Sequence, residues 1–276
     1  MINGINSREM ILEILLEIEE GEHSHVAIRN ALSKYQFLPK QDRAFITRVC
    51  EGTLEYRIQI DYIINSFSKV TVDKMKPAIR EILRSAVYQL KYMDSVPDSA
   101  VCNEAVKLAQ RKGFYNLKPF VNGVLRTMAR EMDQVRFPQK EDDLLKYLSV
   151  KYSMPEVLVT RWLEAYGEET TEKILADFLT EHPLTIRCRT YLNSKEEIIK
   201  SLESQGVHVA PAPYLPYAYS ISEFNHILAL DAFVKGKIVV QDVSSMLVAE
   251  VADPKKGDYV IDVCAAPGGK SLHMGD

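Results

Sequence analysis

The sequence has few cysteines, and they are widely separated. Its 276 residues contain four, at positions 50, 102, 188 and 264, with no Cys-x-x-Cys pair. This spacing supports neither a disulfide framework nor a zinc site, and it fits a protein of the reducing cytosol. We expect Cys50, Cys102 and Cys188 to be core residues.

Long apolar runs are also missing. An apolar stretch near the amino terminus, Ile11–Ile18, is interrupted by Glu13 and Glu17, so it has the character of neither a secretory signal nor a membrane span. No low-complexity segment occurs, and the charged and apolar fractions are ordinary for a globular protein. The sequence therefore predicts a soluble cytoplasmic protein, long enough for two or three domains.

A strong positive charge over the whole chain is the third absence. The formal net charge is −4, so the composition gives no global signal of nucleic-acid binding. Residues 99–130 are nevertheless locally basic, with six basic residues against the single acid Glu104. Charge alone is equally compatible with phosphate contacts and with a solvated helix face. The members of this basic stripe are Lys107, Arg111, Lys112, Lys118, Arg126 and Arg130.

Residues 1–133 predict an all-helical domain. Pro77 suits a first helical position, and the apolar residues that follow it have the spacing of one buried stripe. Asn6 or Ser7 can cap the first helix, and Asp98 or Ser99 a later one. No segment here alternates in the manner of a strand. The predicted helices cover approximately 6–20, 26–35, 40–56, 77–90, 98–112 and 117–131.

A second region follows a polar hinge at 137–143. Three short helices are predicted at 144–152, 155–166 and 170–179. Gly167 ends the middle one, and Trp162 within it is interpreted as a packing anchor between helices.

The pattern changes to strand-like alternation after residue 182. A capping box beginning at Ser194 opens a helix at 194–205, and a short helix is predicted at 228–233. Together these indicate a small α+β unit of ferredoxin-like or RNA-recognition-like size. Tyr214, Tyr217 and Tyr219 suit either base stacking on its sheet or a turn that packs on itself. The predicted strands are 183–190, 207–210, 217–221 and 236–241.

The carboxy-terminal residues carry the most distinctive chemistry. Asp242 and Ser244 are natural N-caps before an apolar helix at 247–252. The run Tyr259–Val263 predicts one buried parallel strand. It leads into a turn of small residues, after which Ser271 can open a helix. This strand-turn-helix order is where α/β sheets bind cofactors. The turn consists of Cys264, Ala265, Ala266, Pro267, Gly268, Gly269 and Lys270.

Several interpretations of this turn remain open from the residues alone. Gly269-Lys270-Ser271 matches the end of a P-loop, but Cys264 occupies the leading glycine position. A nicotinamide-type Gly-x-Gly-x-x-Gly is absent. A methyl-donor site is the third possibility, since small residues let backbone approach a ligand and Asp262 can orient an ammonium group. A purely structural strand-to-helix turn also favours proline and glycine.

The helical half resembles the NusB-type fold. The similarity lies in Leu83-Arg-Ser-Ala-Val-Tyr-Gln-Leu90, Val96-Pro97, Asn103-Glu-Ala-Val106 and Phe120-Val-Asn-Gly-Val-Leu-Arg126, in that order, with Asp42-Arg-Ala-Phe45 and Gly52-Thr-Leu54 upstream. NusB-like domains are RNA-binding modules that occur alone or fused to methyltransferases. The resemblance therefore implies an RNA-binding role for the basic stripe.

The carboxy-terminal turn resembles the cofactor motif of the Sun/Fmu (RsmB) family of RNA cytosine-5 methyltransferases. The matching residues are Asp262-x-Cys-Ala-Ala-Pro-Gly-Gly-Lys270, with Gln241-Asp-x-Ser-Ser245 upstream. The resemblance implies S-adenosylmethionine held by Cys264–Lys270, and methylation of C5 of a cytosine in small-subunit ribosomal RNA by a cysteine nucleophile. The family's catalytic cysteines match no residue here, so we expect none in this chain, which is then an inactive, carboxy-terminally truncated part of the enzyme. A non-enzymatic NusB-like RNA-binding or antitermination adaptor is the alternative.

These inferences combine into one expected architecture. Residues 1–134 form a NusB-like all-helical domain, and residues 141–236 form a helical and α+β middle domain. Residues 237–276 begin a Rossmann-like α/β methyltransferase domain that is incomplete. We expect a monomer whose partner is small-subunit ribosomal RNA, with no metal site and no membrane contact.

Overall fold

The computed structural model describes residues 6–35, 38–180, 182–191 and 193–276. Small parts of the predicted domains 1–134 and 141–236 therefore lie outside the described residues. The chain divides into two compact units, Met1–Thr180 and Glu181–Asp276. Across the described ranges, no helix is long and apolar enough to cross a membrane. The predicted domain boundaries, at 134, 141 and 236, stay predictions.

The described part of the first unit contains helices and no strand, as predicted. Asn6 caps the first helix, because its side-chain oxygen accepts hydrogen bonds from the backbone amides of Arg8 and Glu9. Pro77 occupies the first turn of the helix that it was predicted to open. The helices are α1 Ser7–Glu19, α2 Ser24–Lys34, α3 Lys40–Glu55, α4 Arg57–Phe67, α5 Pro77–Tyr92, α6 Asp98–Arg111, α7 Lys118–Glu131, α8 Leu144–Lys151 and α9 Glu156–Asp177.

One helix of this unit, α4, has no counterpart among the sequence predictions. Only Tyr56 separates it from α3, and no side chain caps it. Polar residues interrupt its apolar pattern, although Ile60, Ile63 and Ile64 are fully buried. Without a cap or a break, the sequence carried no signal for a new helix, and its tertiary contacts with α5 define it.

The amino-terminal helices share one apolar core. The i, i+3, i+4 stripe of α5 lies at its centre, where Ile79, Ile82, Leu83 and Val87 are at most 1% exposed. Helices α1, α3, α6 and α7 pack their own apolar faces against this stripe. Stability in this unit therefore comes mainly from burial of amphipathic faces, since isolated helices of this length are marginal in water.

A buried ionic network crosses the same core. The guanidinium of Arg84 donates two hydrogen bonds to Asp61, at 2.7 and 2.6 Å, and one to Glu81 at 2.6 Å. Both Arg84 and Glu81 belong to α5 and are buried, whereas Asp61 belongs to α4. The bidentate contact therefore joins two neighbouring helices.

Helices α8 and α9 complete the first unit. The side-chain amide of Gln59 donates to the carbonyls of Val150 and Lys151, both at 3.1 Å, which joins α4 to the end of α8. Gly167 has a φ of 73° and kinks α9 where the sequence predicted a helix end. Trp162 stacks on Phe178 with ring centroids 5.7 Å apart and packs against the core that contains Leu148 of α8, so its predicted packing role between helices is confirmed.

The second unit is built on a four-stranded antiparallel sheet with the order β2-β3-β1-β4. Ser194 caps its first helix as predicted, with its hydroxyl accepting from the amide of Glu197 at 3.3 Å. Ile186, Ile198, Leu202 and Ile221 form the centre of the core between sheet and helix. The elements are β1 Leu184–Cys188, α10 Lys195–Ser204, β2 His208–Pro211, β3 Ala218–Ser222, α11 Asp231–Val234, β4 Ile238–Val240, α12 Val243–Ala252 and α13 Gly269–Gly275.

The three tyrosines of this unit do not form a base-stacking row. Tyr219 is buried in the core, whereas Tyr214 is 84% exposed. The hydroxyl of Tyr217 donates to Glu250 of α12. Because Leu215 and Ala218 are buried together with Met246, the segment packs on its own unit, which is the second of the two interpretations.

The predicted strand Tyr259–Val263 is wrong. These residues have no strand pairing, and Tyr259, Ile261 and Val263 are 91%, 72% and 89% exposed. A parallel strand forms only beside a neighbour, and none of the described strands lies next to this segment. The start of a Rossmann-like sheet is therefore not seen in the described residues, although the helix expected after the turn is present as α13.

Candidate functional site

The predicted cofactor turn, Cys264–Lys270, leads directly into α13. One carboxylate oxygen of Asp262 accepts from the backbone amide of Cys264 at 3.0 Å, and the other from the hydroxyl of Ser271 at 2.6 Å. These two hydrogen bonds, the Ser271 bond foremost, lower the pKa of Asp262. An ionised Asp262 thus joins the two ends of the turn.

The backbone of the turn is open to a ligand. Gly268 has a φ of 107°, a conformation that favours glycine, and it immediately precedes α13. A Cβ added to Gly269 would meet nothing within 4 Å. The side chains from Cys264 to Pro267 are exposed and small. The turn therefore has the accessible backbone that a cofactor such as S-adenosylmethionine requires.

Gln241, in the segment upstream of the turn, reaches it directly. Its side-chain amide donates to the carbonyl of Gly269 at 3.3 Å, and its oxygen accepts from Arg187 of β1 at 2.9 Å. Sequence reasoning noted the Gln241–Ser245 motif but missed this contact and missed Arg187. The signal available for Arg187 was a charged residue between the apolar Ile186 and Cys188 of a short strand.

The capping roles considered for Asp242 and Ser244 are not observed. Helix α12 begins at Val243, so Ser244 lies inside the helix, and the predicted start near Leu247 is four residues late. Asp242 occupies the N-cap position, yet its side chain makes no capping hydrogen bond. Helix capping by their side chains therefore does not account for these two residues.

The four cysteines divide into three buried thiols and one exposed thiol. Cys50, Cys102 and Cys188 are buried, which confirms the prediction that they are core residues. Burial raises the pKa of all three thiols, that of Cys188 to about 11. Cys264 is exposed in the turn rather than packed at a strand end. Where the structure describes the chain, no cluster of ligand side chains suits a metal ion.

The basic stripe is a face of mixed charge. Arg111, at the end of α6, and Lys112, just after it, pair with Glu9 and Glu13 of α1, at 3.3 and 3.2 Å. These acids belong to a helix distant in sequence, so charge counting within residues 99–130 could not reveal them. The remaining partners are Glu104 for Lys107, Gln110 for Lys118, Asn122 for Arg126 and Glu131 for Arg130. Which of these side chains contact RNA stays a prediction.

Comparison with known families identifies two regions of the chain. Residues 5–130 match the NusB family, and residues 154–227 match the ferredoxin-like domain of RsmF/B-like methyltransferases. The resemblance of the helical half to the NusB fold is thereby confirmed, and the second match agrees with the ferredoxin-like size predicted for the α+β unit.

Similar proteins extend the match to nearly the whole chain. It is 34% identical to "Probable ribosomal RNA small subunit methyltransferase B" of Bacillus subtilis, covering 98% of this chain and 59% of that protein. A Synechocystis protein of the same name is 31% identical over 99% of this chain and 61% of its own length. The crystal structure of PH0851 has a TM-score of 0.72 at 26% identity, covering 98% of this chain and 61% of that one. The chain thus spans about three fifths of the length of the relatives that it matches.

Proposed function

Because the chain belongs to the Sun/Fmu (RsmB) family of ribosomal RNA methyltransferases, we propose that the protein transfers a methyl group to C5 of a cytosine in small-subunit ribosomal RNA. S-adenosylmethionine is the proposed methyl donor. The 276 residues contribute an RNA-binding helical unit and one side of the donor site, and the activity is assigned to the whole protein.

The observation that carries the proposal is the open turn at Cys264–Lys270. Its exposed small residues and the positive φ of Gly268 let a ligand approach the backbone. The Asp262 carboxylate keeps free acceptor capacity beyond its two hydrogen bonds, because two carboxylate oxygens offer about four lone-pair sites. We assign Asp262 the role of orienting the ammonium group of the methyl donor.

The proposed reaction needs a cysteine that these residues do not supply. A thiolate adds to C6 of cytosine, which makes C5 nucleophilic enough to accept a methyl group. S-adenosylmethionine would provide that group as an electrophilic methyl on a sulfonium. Loss of the C5 proton to a base and elimination of the thiolate then release the product. Cys264 is assigned to the donor turn rather than to this step, because the resemblance places it within the cofactor motif Cys264–Lys270.

The helical unit is proposed to hold the RNA. Its NusB-type domain carries the stripe around α6 and α7. There Arg126 and Arg130 are exposed, and the partners that the described residues give them, Asn122 and Glu131, belong to α7 itself. Exposed guanidinium groups of this kind suit phosphate contacts, whose affinity falls as salt concentration rises.

The proposal is tested by donor binding and by methyl transfer. Calorimetry of this chain should show S-adenosylmethionine binding that Gly268→Val weakens at least about tenfold, because the positive φ excludes a β-branched residue. Gly275→Ala is the matched control: it lies in α13 outside the turn, and its Cβ would meet nothing within 4 Å. Equal affinity for both variants would contradict the assigned turn.

Methyl transfer is measured with the protein expressed from its whole gene. Labelled S-adenosylmethionine and small-subunit ribosomal RNA should give 5-methylcytosine, detectable by nucleoside mass spectrometry, whereas residues 1–276 alone should give none. RNA binding without any methyl transfer by the whole protein would favour the NusB-like adaptor instead.

A further inference from the structure

Arg187 is a buried cation inside the sheet of the second unit. It belongs to β1 and is 3% exposed. Its Nε donates to Gln241 at 2.9 Å, and its Nη2 lies 2.7 Å from a carboxylate oxygen of Asp276. A guanidinium removed from water is costly unless its charge and donors are satisfied. Both partners of Arg187 lie beyond the sheet, next to the cofactor turn and the helix that follows it.

The side chain of Gln241 connects the sheet to the turn. It is 6% exposed, and its amide group bridges Arg187 and the carbonyl of Gly269. Arginine has only donors, so the side-chain oxygen must face Arg187. The nitrogen is then directed at the Gly269 carbonyl. Arg187 therefore fixes the orientation of the Gln241 amide in which its nitrogen can donate to Gly269. A flipped amide would place the Gln241 side-chain oxygen against the carbonyl oxygen of Gly269.

The same arginine also reaches the far end of α13. Although burial opposes it, hydrogen bonds from Arg189 and Tyr191 and the ion pair with Arg187 lower the pKa of Asp276 to about 2. An ionised Asp276 thus faces Arg187 at one end of the helix while Gln241 holds Gly269 at the other. One buried side chain is connected to both ends of the seven-residue helix that follows the turn.

We propose that Arg187 and Gln241 are positioning residues that hold the cofactor turn in its ligand-binding geometry. This inference rests on the proposed function, in which Cys264–Lys270 bind the methyl donor. Neither side chain touches the donor in this assignment; Arg187 acts through Gln241, and Gln241 acts through the backbone at Gly269. The buried guanidinium and amide thereby hold a short exposed turn that lies next to none of the described strands.

Gln241→Glu separates positioning from folding of the sheet. The carboxylate keeps an acceptor for Arg187 and adds an opposite charge, so the β1 side of the contact is preserved. It has no donor for the Gly269 carbonyl, so only the turn side is lost. We therefore expect the melting temperature of the chain to be unchanged, whereas amide hydrogen exchange in the turn becomes faster.

The experiment measures amide hydrogen exchange of residues 264–272 and calorimetric affinity for S-adenosylmethionine in the whole 276-residue chain. Gln241→Glu should speed exchange in the turn by about fivefold to tenfold, the size expected for one lost hydrogen bond, and weaken donor binding by a similar factor. Arg187→Met should do the same and also lower the melting temperature.

Arg189→Met is the matched control. Arg189 also binds Asp276, with its Nη2 2.6 Å from the carboxylate, but it makes no contact with Gln241. It should speed exchange at the end of α13 and leave residues 264–268 as in the wild type.

The outcomes distinguish this inference from the proposed function. Unchanged exchange in the turn of Gln241→Glu would overturn the positioning role, whatever happens to donor affinity. Faster exchange with no measurable donor binding, even by the wild type, would support the positioning of the turn and count against its assignment as a methyl-donor site.

Discussion

Gly52 of α3 lies directly beneath the ring of Tyr88 of α5. A Cβ built on this glycine would overlap the ring atoms and the hydroxyl of that tyrosine. The ring cannot easily move away, because Tyr88 is 6% exposed and its ring packs against those of Tyr56 and Tyr92, with ring centroids 6.3 and 5.3 Å away. The absence of a side chain at residue 52 therefore sets how closely α3 approaches α5.

Replacement of Gly52 by alanine is expected to destabilise the first unit. In an open helix the same change stabilises by up to about 1 kcal/mol, because glycine is a poor helix former. Here the added methyl group overpacks the contact with Tyr88, at a cost of about 1–3 kcal/mol. Urea denaturation followed by the fluorescence of the single tryptophan, Trp162, reports this unit specifically.

Gly123→Ala provides the control within the same unit. Gly123 lies in α7, is exposed, and has nothing within 4 Å of a built Cβ. This variant should be as stable as the wild type or more stable. A Gly52→Ala protein that behaved like Gly123→Ala would show that the ring of Tyr88 moves at little cost.

Glu172 of α9 connects two other segments of the first unit. Its carboxylate accepts from Lys151 and from the hydroxyl of Tyr152, both at 3.0 Å, and from Lys140 at 3.3 Å. Hydrogen bonds, that from Lys151 foremost, lower the pKa of Glu172 to about 2 from its ordinary value of 4.5. The ionised form is thus favoured in the folded state, and Glu172 stabilises the fold when it is charged.

Glu172→Gln should therefore lower the free energy of unfolding at neutral pH, by on the order of 1 kcal/mol because the network is partly exposed. The stabilising contribution is complete above pH 4.5 and is lost as the pH falls toward 2, so wild type and variant should converge over that window. Thermal denaturation between pH 7 and the acid limit of folding checks this convergence.

Glu169→Gln is the matched control for this charge change. Glu169 lies on the same helix and pairs with Lys173, but its side chain is 84% exposed. It should have little effect at any pH. A pH-independent difference between wild type and Glu172→Gln would show that the carboxylate contributes through packing rather than through its charge.

Much of the fold was predictable because local signals agreed with tertiary packing. The cap at Asn6, Pro77 in a first turn, the break at Gly167 and the capping box at Ser194 all mark element ends that the structure confirms. Helix α4 had no such marker. It follows α3 after one residue and owes its definition to contacts distant in sequence.

The sequence identified the residues of the candidate site but not their three-dimensional arrangement. The turn residues are distinctive in the sequence, yet the run Tyr259–Val263 has a strand pattern and pairs with no strand in the described part of the chain. Pairing is a tertiary property, so the pattern alone could not predict its absence. The link from Arg187 through Gln241 to Gly269 spans distant positions and appears only in three dimensions.

Thiol accessibility offers a direct test of the environment of the turn. Cys264 is exposed, whereas the other three cysteines are buried and have raised pKa values. Native alkylation should therefore label Cys264 alone, and the remaining three should react only after denaturation. Peptide mass spectrometry identifies the labelled site, with Cys264→Ser as the unlabelled control. Rapid labelling of Cys188 in the native protein would contradict its burial in the core of the second unit.

The buried network of Arg84 gives the largest expected loss of stability. Arg84→Met leaves Glu81, which is 4% exposed, without its ion-pair partner. Removing one member of a buried pair costs about 3–5 kcal/mol, measured by urea denaturation at pH 7. Burial already raises the pKa of Glu81 in the wild type, against the opposing effect of Arg84.

Without Arg84 that pKa should rise further, so the variant's loss of stability has a defined pH dependence. A carboxyl whose folded pKa is raised favours folding below its unfolded pKa and loses that contribution as the pH rises through the folded value. The Arg84→Met protein should therefore approach the wild type near pH 4.5 and below. Adding Glu81→Gln should recover part of the stability at pH 7, because a neutral amide costs less to bury than an unpaired carboxylate. A double variant no more stable than Arg84→Met would show that the loss of stability comes mainly from the lost ion pair with Asp61 rather than from the unpaired charge of Glu81.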